Sequence, residues 1–382
     1  MVLSKGPAAL AVALALVSAG PAAAAEPIRI GSTVSATGPA SFLGFPEQRT
    51  LEIYVEKINR EGGILGRPIQ LVLYDDAGDV ERGRSLNKRL IENDKVDIIV
   101  GSSTTGVALA VAPMMEKAEI PYISLAGAEA ITTPVRKWIF KTPHTDRMAA
   151  QKILGDMKAH GYTRIALITG MSSFGQGGRK VSLEEAPKAG IEVLADETYS
   201  PNDVDMTPQL SKIKGLGTVQ AVLNYDTGQE NAVVTRNFRQ IDMPMQLYQT
   251  HAVASKKFID LAGAAAEGVR LPAAALLAGA QLPETDPQRP VVLSYIKYFE
   301  DTTKNEVSTF GGHAYDGLMI ALEAIKRAGS TDKARVRDEI ERTRGFIGTG
   351  GVVTMSPADH VGLDLSAFRM FEVRNGTWKL VD

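Results

Sequence analysis

What most constrains the fold of this chain is a regular alternation of short apolar runs with helical stretches, beginning at Ile28 and lasting for most of the sequence. The opening segment, residues 28–79, reads IRIGSTVSATGPASFLG, then a helical run, then INREGGILGRPIQLVLYDDAGD. It predicts a buried strand, a loop punctuated by Gly and Pro, an amphipathic helix and a second strand. Further strands are expected at 28–30, 69–74, 96–100, 120–124, 165–169, 192–199, 221–223 and 245–249, with helices such as 47–59, 82–92 and 107–117 between them. Strands separated by helices at this spacing form parallel sheets with right-handed crossovers. The fold class is therefore α/β.

The alternation breaks twice. Residues 141–146 (KTPHTD) interrupt it, and a fresh helix–strand series starts at Met148. That series ends near 268–272, before an Ala/Leu-rich stretch, a polar loop and two helices over 291–304 and 313–328. The tail predicts strands, with a hairpin turn at Asn375-Gly376. Gly62-Gly63 is expected to stop the first helix.

At 382 residues the chain exceeds the size at which one core usually divides in two. Its first 25 residues carry a basic Lys5, an apolar run over 8–17 and four alanines at 22–25, the pattern of a cleaved export signal. An exported chain with no Cys has a core that needs no disulfides. Lys and Arg total 42 against 44 Asp and Glu, without a basic stripe, which argues against a nucleic-acid partner.

Catalytic and metal patterns are scarce. The five His residues (144, 160, 251, 313 and 360) never pair at metal or protease spacing. There is no G-x-S-x-G elbow, Walker motif or helix-opening G-x-G-x-x-G. His160 reads as solvated, and His313, at the start of HAYDGLMIALEAIKRAG, as a structural cap or hinge contact. Asp75, Asp76 and Asp79 lack the spacing of a calcium loop and read as capping groups for the next helix. No cofactor is expected.

One loop stands out for binding. Ser102, Ser103, Thr104 and Thr105 follow an apolar strand and precede a helix. Hydroxyls and free N–H groups at a helix N-terminus suit a carboxylate, though simple helix capping would use the same residues. Ala126, Gly127 and Ala128 hold the equivalent place after the next strand, where small side chains let a ligand approach the backbone.

TGPAS, INREGGILGRPIQLVLYDDAGD, IIVGSSTTGVALAVAPMMEK, IPYISLAGAEAIT, FKTPHTD and HAYDGLMIALEAIKRAG occur in this order along the chain. With them it resembles the periplasmic substrate-binding proteins of ABC importers of the leucine/isoleucine/valine-binding type. The resemblance implies two Rossmann-like lobes with parallel-rich sheets, joined by three hinge crossings near 141–146, 268–272 and 345–351. Lobe one is then 26–143 with 273–347, and lobe two 144–272 with 348–382. A monomer would trap a small ligand between the lobes in the periplasm and deliver it to a permease and ATPase complex. Phe42 and Leu43 would face the ligand from the first lobe, and Phe174, Tyr225, Thr227 and His251 from the second. Amino-acid-binding members hold the ligand's ammonium with an acid where His251 stands here. The resemblance and the missing acid together favour an uncharged or acidic ligand with an apolar face, such as a benzoate or phenylpropenoate. A branched-chain amino acid, a short amide or urea remains open, as does a sensing module for a membrane receptor.

Overall fold

The structure is a computed structural model and describes residues 1–3, 26–201 and 203–381. The export-signal expectation falls on residues 4–25, outside the described residues. Among the described residues no helix is long and apolar enough to cross a membrane.

Two sheets organise the chain. The first is built from β1 (Ile28–Val34), α1 (Ser41–Arg60), β2 (Ile69–Asp75), α2 (Val80–Glu92), β3 (Ile98–Val100), α3 (Thr105–Ala118), β4 (Tyr122–Ser124) and β5 (Ile139–Lys141). Its strand order is β2-β1-β3-β4-β5, every pair parallel, with Ile28 opposite Ile69 and Ile123 opposite Phe140. The runs of β3, β4 and β5 are buried on both faces, whereas the edge strand β2 is half-buried beyond Ile69. β5 went unforeseen because three residues ending in a lysine leave too short a pattern to read.

The second series runs through α4 (Asp146–Ala159), β6 (Arg164–Gly170), α5 (Ser173–Glu185), β7 (Glu192–Tyr199), α6 (Thr207–Gly215), β8 (Ala221–Tyr225), α7 (Glu230–Gln240), β9 (Gln246–Tyr248), α8 (Lys256–Ala262) and β10 (Arg270–Ala274). It is followed by α9 (Arg289–Thr303), α10 (Thr309–Ala328), α11 (Lys333–Glu341), β11 (Phe346–Ile347), β12 (Val352–Val353), β13 (Phe368–Arg374) and β14 (Thr377–Leu380). The second sheet has the order β14-β13-β10-β9-β8-β6-β7, with β13 and β14 antiparallel additions to a parallel core. Asn375 (φ 54°) and Gly376 (φ 67°) make the expected two-residue hairpin turn between them. Gly62 and Gly63, at φ 101° and 75°, end α1 as expected, and Gly63 N–H returns to Ile58 O at 2.9 Å.

Two of the three stretches expected as crossings carry strands of their own. Residues 268–272 run into β10, which pairs with β9 and β13, so the chain leaves the second sheet only after Ala274. Residues 345–351 belong to a small hairpin whose loop is tied to α10. Asp316 accepts from Thr349 N–H (2.7 Å), Thr349 Oγ1 (3.1 Å) and Gly350 N–H (2.8 Å). Lys141 N–H bonds His360 O, so the chain is still against the first sheet at residue 360 and reaches the second at Phe368. Asp79 caps α2 by accepting from Arg82 N–H at 2.7 Å, as read from the sequence.

Candidate ligand-binding cleft

The carboxyl ends of the strands in both sheets converge on one cleft, where helix N-termini and strand-end loops offer backbone groups not used by the ladders. From the first sheet come Leu43 on α1, Ser103, Thr104 and Thr105 at the start of α3, and Leu125 and Gly127 after β4. Helix α10 adds Phe310 and His313, and Pro143 lies where the chain crosses over. Facing them are Phe174 on α5, Thr227 after β8, and His251 and Ala252 after β9. The free space between them is about 40 Å³. That admits a few water molecules at most. An aromatic acid needs more room than this.

Ser103 is 4% exposed, and its hydroxyl oxygen accepts from Ser35 N–H at 2.9 Å while bonding the Glu47 carboxyl. Thr104 caps α3, accepting from Val107 N–H. The first-turn N–H groups of a helix have no intrahelical acceptor and carry the positive end of its dipole. This wall is chemically suited to an anion.

The opposite wall is aromatic and imidazole. Phe174 meets His251 edge-on at 5.7 Å and leans on Tyr225 at 5.4 Å. His251 and His144 both pack on Phe368, His144 face to face at 3.9 Å. His144 and His313 lie 5.8 Å apart, edge to face. Burial, helped by His144 and Lys141, holds His251 and His313 well below the usual imidazole range, and burial helped by Lys141 holds His144 at about 3. All three are neutral at pH 7. His251 Nδ1, His313 Nδ1 and Thr227 Oγ1 are buried without a protein partner. Buried polar atoms are normally satisfied, so these mark where an incoming polar group would be met. Among the described residues no Asp or Glu lines this space. Asp226, beside Thr227, is buried at 4% exposure and engaged by the Ser172 hydroxyl and Thr227 N–H.

Of the residues singled out from sequence, Leu43, Ser103, Thr104, Thr105, Gly127, Phe174, Thr227 and His251 line the cleft. Five do not. Ser102 points into the lobe interior, where its N–H donates to Tyr122 OH and its Oγ lies 3.2 Å from Thr33 Oγ1. Ala126 and Ala128, on either side of Gly127, pack into the core. Tyr225 is wholly buried and donates to Asp146 O. Phe42 packs edge-on against Phe310 at 5.8 Å and faces a neighbouring surface groove. Alternation of side chains along a loop or helix turn decides each case, and sequence spacing alone does not fix its phase.

The sequence reading passed over Leu125, Pro143, Ala252, Phe310 and His313. His313 is more than the cap or hinge contact expected. Its backbone carbonyl does accept from Thr142 Oγ1 at the crossing (2.9 Å), but its ring lines the cleft. A histidine in the first turns of a helix that follows a crossing was the available signal.

Comparison with known proteins agrees with this architecture. Residues 27–377 match the family model described as periplasmic binding protein. The chain belongs to the periplasmic binding protein family. The family is one of solute-binding proteins and not of enzymes, and membership places the chain's work in the periplasm or outside the cell. It is 25% identical over 348 residues to a leucine-, isoleucine-, valine-, threonine-, and alanine-binding protein of Pseudomonas aeruginosa, covering 90% of each chain. It is 32% identical over 218 residues to Leu/Ile/Val-binding protein homolog 7 of Brucella abortus, covering 54% of each. An extracellular ligand-binding receptor from Rhodopseudomonas palustris HaA2 superposes with a TM-score of 0.86 at 28% identity, over 93% of this chain and 99% of that one. The isoleucine complex of LivJ from Streptococcus pneumoniae shares the fold, with a TM-score of 0.82 at 23% identity, over 93% and 99%.

Proposed function

We propose that this periplasmic binding protein captures a small aromatic carboxylate, of the benzoate or phenylpropenoate kind, between two lobes that close on it. The observation that carries the reading is the division of the cleft. Ser103, Thr104, Thr105 and the α3 N-terminus form an anion-binding wall with neutral His313 of α10 beside it, and neutral His251 and Phe174 form the other. A buried ammonium would need an anion, and none lines the space. A neutral imidazole instead meets a ring hydroxyl or a carboxylate oxygen, and Phe174 and Phe310 offer ring contacts.

Mature protein would begin near residue 26 after cleavage close to Ala25, act as a monomer and hand its ligand to a permease and ATPase complex. The lobes would be the two sheet systems, divided near 26–143 with 273–347 and 144–272 with 348–382. The second and third joints would lie slightly later, past Ala274 and before Phe368. A ligand shifts such a hinge only through contacts that differ between open and closed states.

A second reading has its own support: the P. aeruginosa relative, matched over 90% of both chains, is named for five amino acids. Calorimetric titration with benzoate, 4-hydroxybenzoate, cinnamate, leucine, isoleucine and valine separates the two. Binding of the aromatic acids without the amino acids supports the proposal. Tight binding of leucine without the aromatic acids overturns it.

A further inference from the structure

A buried carboxyl stands directly behind the anion-binding wall. Glu47, on α1, is 1% exposed and is joined to Ser103 Oγ by a hydrogen bond. The same Ser103 oxygen already accepts from Ser35 N–H at 2.9 Å. Behind them Asp76 accepts from Ser35 Oγ (2.7 Å) and Gly78 N–H (2.9 Å), and its second oxygen is buried without a partner.

A hydroxyl has one proton and two lone pairs. One lone pair of Ser103 is committed to Ser35. If Glu47 is ionised, the Ser103 proton must point at it, and the cleft sees only oxygen lone pairs. If Glu47 carries a proton, it donates to the remaining lone pair and the Ser103 O–H is free to turn to the cleft. Only the second arrangement donates to a ligand carboxylate. We propose that Glu47 is a positioning residue that sets the donor direction of Ser103, so that a ligand carboxylate is bound together with one proton held on Glu47. The proposal rests on the carboxylate reading above and deepens it: the site takes up its ligand, in net proton count, as the acid.

The surroundings favour that state. Burial pushes the Glu47 carboxyl well above the usual carboxylate range, outweighing the Ser103 hydrogen bond that pulls it down, and the charge of nearby Asp76 pushes upward too. On the elements packed around α1 lie Tyr295 of α9, hydrogen-bonded to Thr50, and His313 and Asp316 of α10, while Tyr298 of α9 and Tyr315 of α10 pack against Tyr54 further along α1.

The test is the dissociation constant of benzoate, or of whichever aromatic acid binds, measured by calorimetry from pH 5 to pH 9. Affinity should be level at low pH and then fall by up to tenfold per pH unit above the point where free Glu47 ionises. Glu47→Gln keeps a donor for Ser103 at every pH and should flatten the profile while binding persists. Any share owed to His251 or His313 would survive in that variant. Ser103→Ala, with its fold checked by circular dichroism, should bind at least tenfold more weakly at pH 5 and also lose the slope. A carboxylate that binds with a flat wild-type profile, or with the same slope in Glu47→Gln, overturns the Glu47 assignment alone. Failure of every aromatic carboxylate to bind at any pH overturns both this assignment and the ligand class.

Discussion

Gly127 and His251 touch across the cleft with a glycine's clearance and no more: a Cβ on Gly127 would lie 3.2 Å from His251 Nε2, and 3.1 Å from Phe174 Cε2. The β4 loop of one sheet thus meets the β9 loop of the other with no room for a side chain at residue 127. Contact at this distance is a steric gauge of the closed state.

A side chain at residue 127 should therefore act as a wedge. Gly127→Val adds a branched Cβ where two ring systems already stand, and overpacking of this kind costs about 1–3 kcal/mol. The cost falls on the closed state alone, so ligand affinity should drop roughly tenfold to a hundredfold. Small-angle scattering checks the cause. Wild type should compact on saturation with ligand, and the variant should keep a larger radius of gyration. Equal compaction in both would mean that the walls do not part during binding.

His251 tests the ligand class from the other wall. Removing it in His251→Ala should weaken an aromatic carboxylate by about 1–3 kcal/mol, the range for leaving a buried polar group unpaired. His251→Glu should weaken it further, since it sets a carboxylate or a mismatched acceptor against the ligand in a dry cleft. Titration of both variants against wild type is the measurement. Equal affinity of His251→Ala and wild type would remove His251 from the site.

Lys141 gives stability a pH dependence of predictable sign. It is fully buried, and Nζ donates to Gly127 O (2.5 Å), His144 O (3.3 Å) and Ala128 O (3.4 Å). Burial pushes its pKa down to about 7, against the opposing pull of Asp146 and Glu129. An unfolded lysine titrates near 10.4. Between about pH 7 and pH 10 the unfolded chain holds a proton that the folded chain has released, so stability contributed by this group rises with pH. The slope should approach roughly 1.4 kcal/mol per pH unit at its steepest. Urea unfolding from pH 6 to pH 10 should show this rise in wild type, and Lys141→Met should lack it.

The fold was more legible in the sequence than the site. Ile28, Ile69, Ile98 and Ile123 lie in apolar runs bounded by turn residues, and helical periodicity between them leaves one architecture open. The Asn375-Gly376 turn was readable because only residues tolerant of positive φ fit there. Residues 268–272 and 345–351 read as crossings because glycines and a proline resemble a linker, and the strands they run into stayed hidden. Pro272 sits in β10 opposite Met370, past Arg270 where pairing with β9 ends and no ladder N–H is asked of that side, and Gly348 and Gly350 are small to clear Asp316. Within the site, Ser103 and Ser102 are neighbours of one composition. The chain's turn into α3 sends one to the cleft and the other to Tyr122, which no single-sequence pattern encodes. Glu47 was invisible for a different reason. A glutamate in an amphipathic helix reads as solvated until the opposing loop is seen to cover it.

Asp316 holds the small hairpin to α10, and its substitution should loosen the segment that leads to the third crossing. It is 1% exposed and collects three donors from Thr349 and Gly350. In Asp316→Ala two backbone N–H groups would be buried without acceptors, each a loss of about 1–3 kcal/mol where water cannot reach. A total near 3 kcal/mol is expected, because some water enters the space left by the carboxylate. Thr349→Val deletes only the hydroxyl bond and keeps both backbone donors paired, so it should cost about 1 kcal/mol. The order of the two effects, read from urea denaturation midpoints, tests the assignment. Hydrogen exchange gives the local view, with faster exchange at residues 346–353 in Asp316→Ala while β1 and β3 stay protected. Equal destabilisation by the two variants, or unchanged exchange in the hairpin, would mean that packing of α10 against the first sheet holds this segment without the carboxylate.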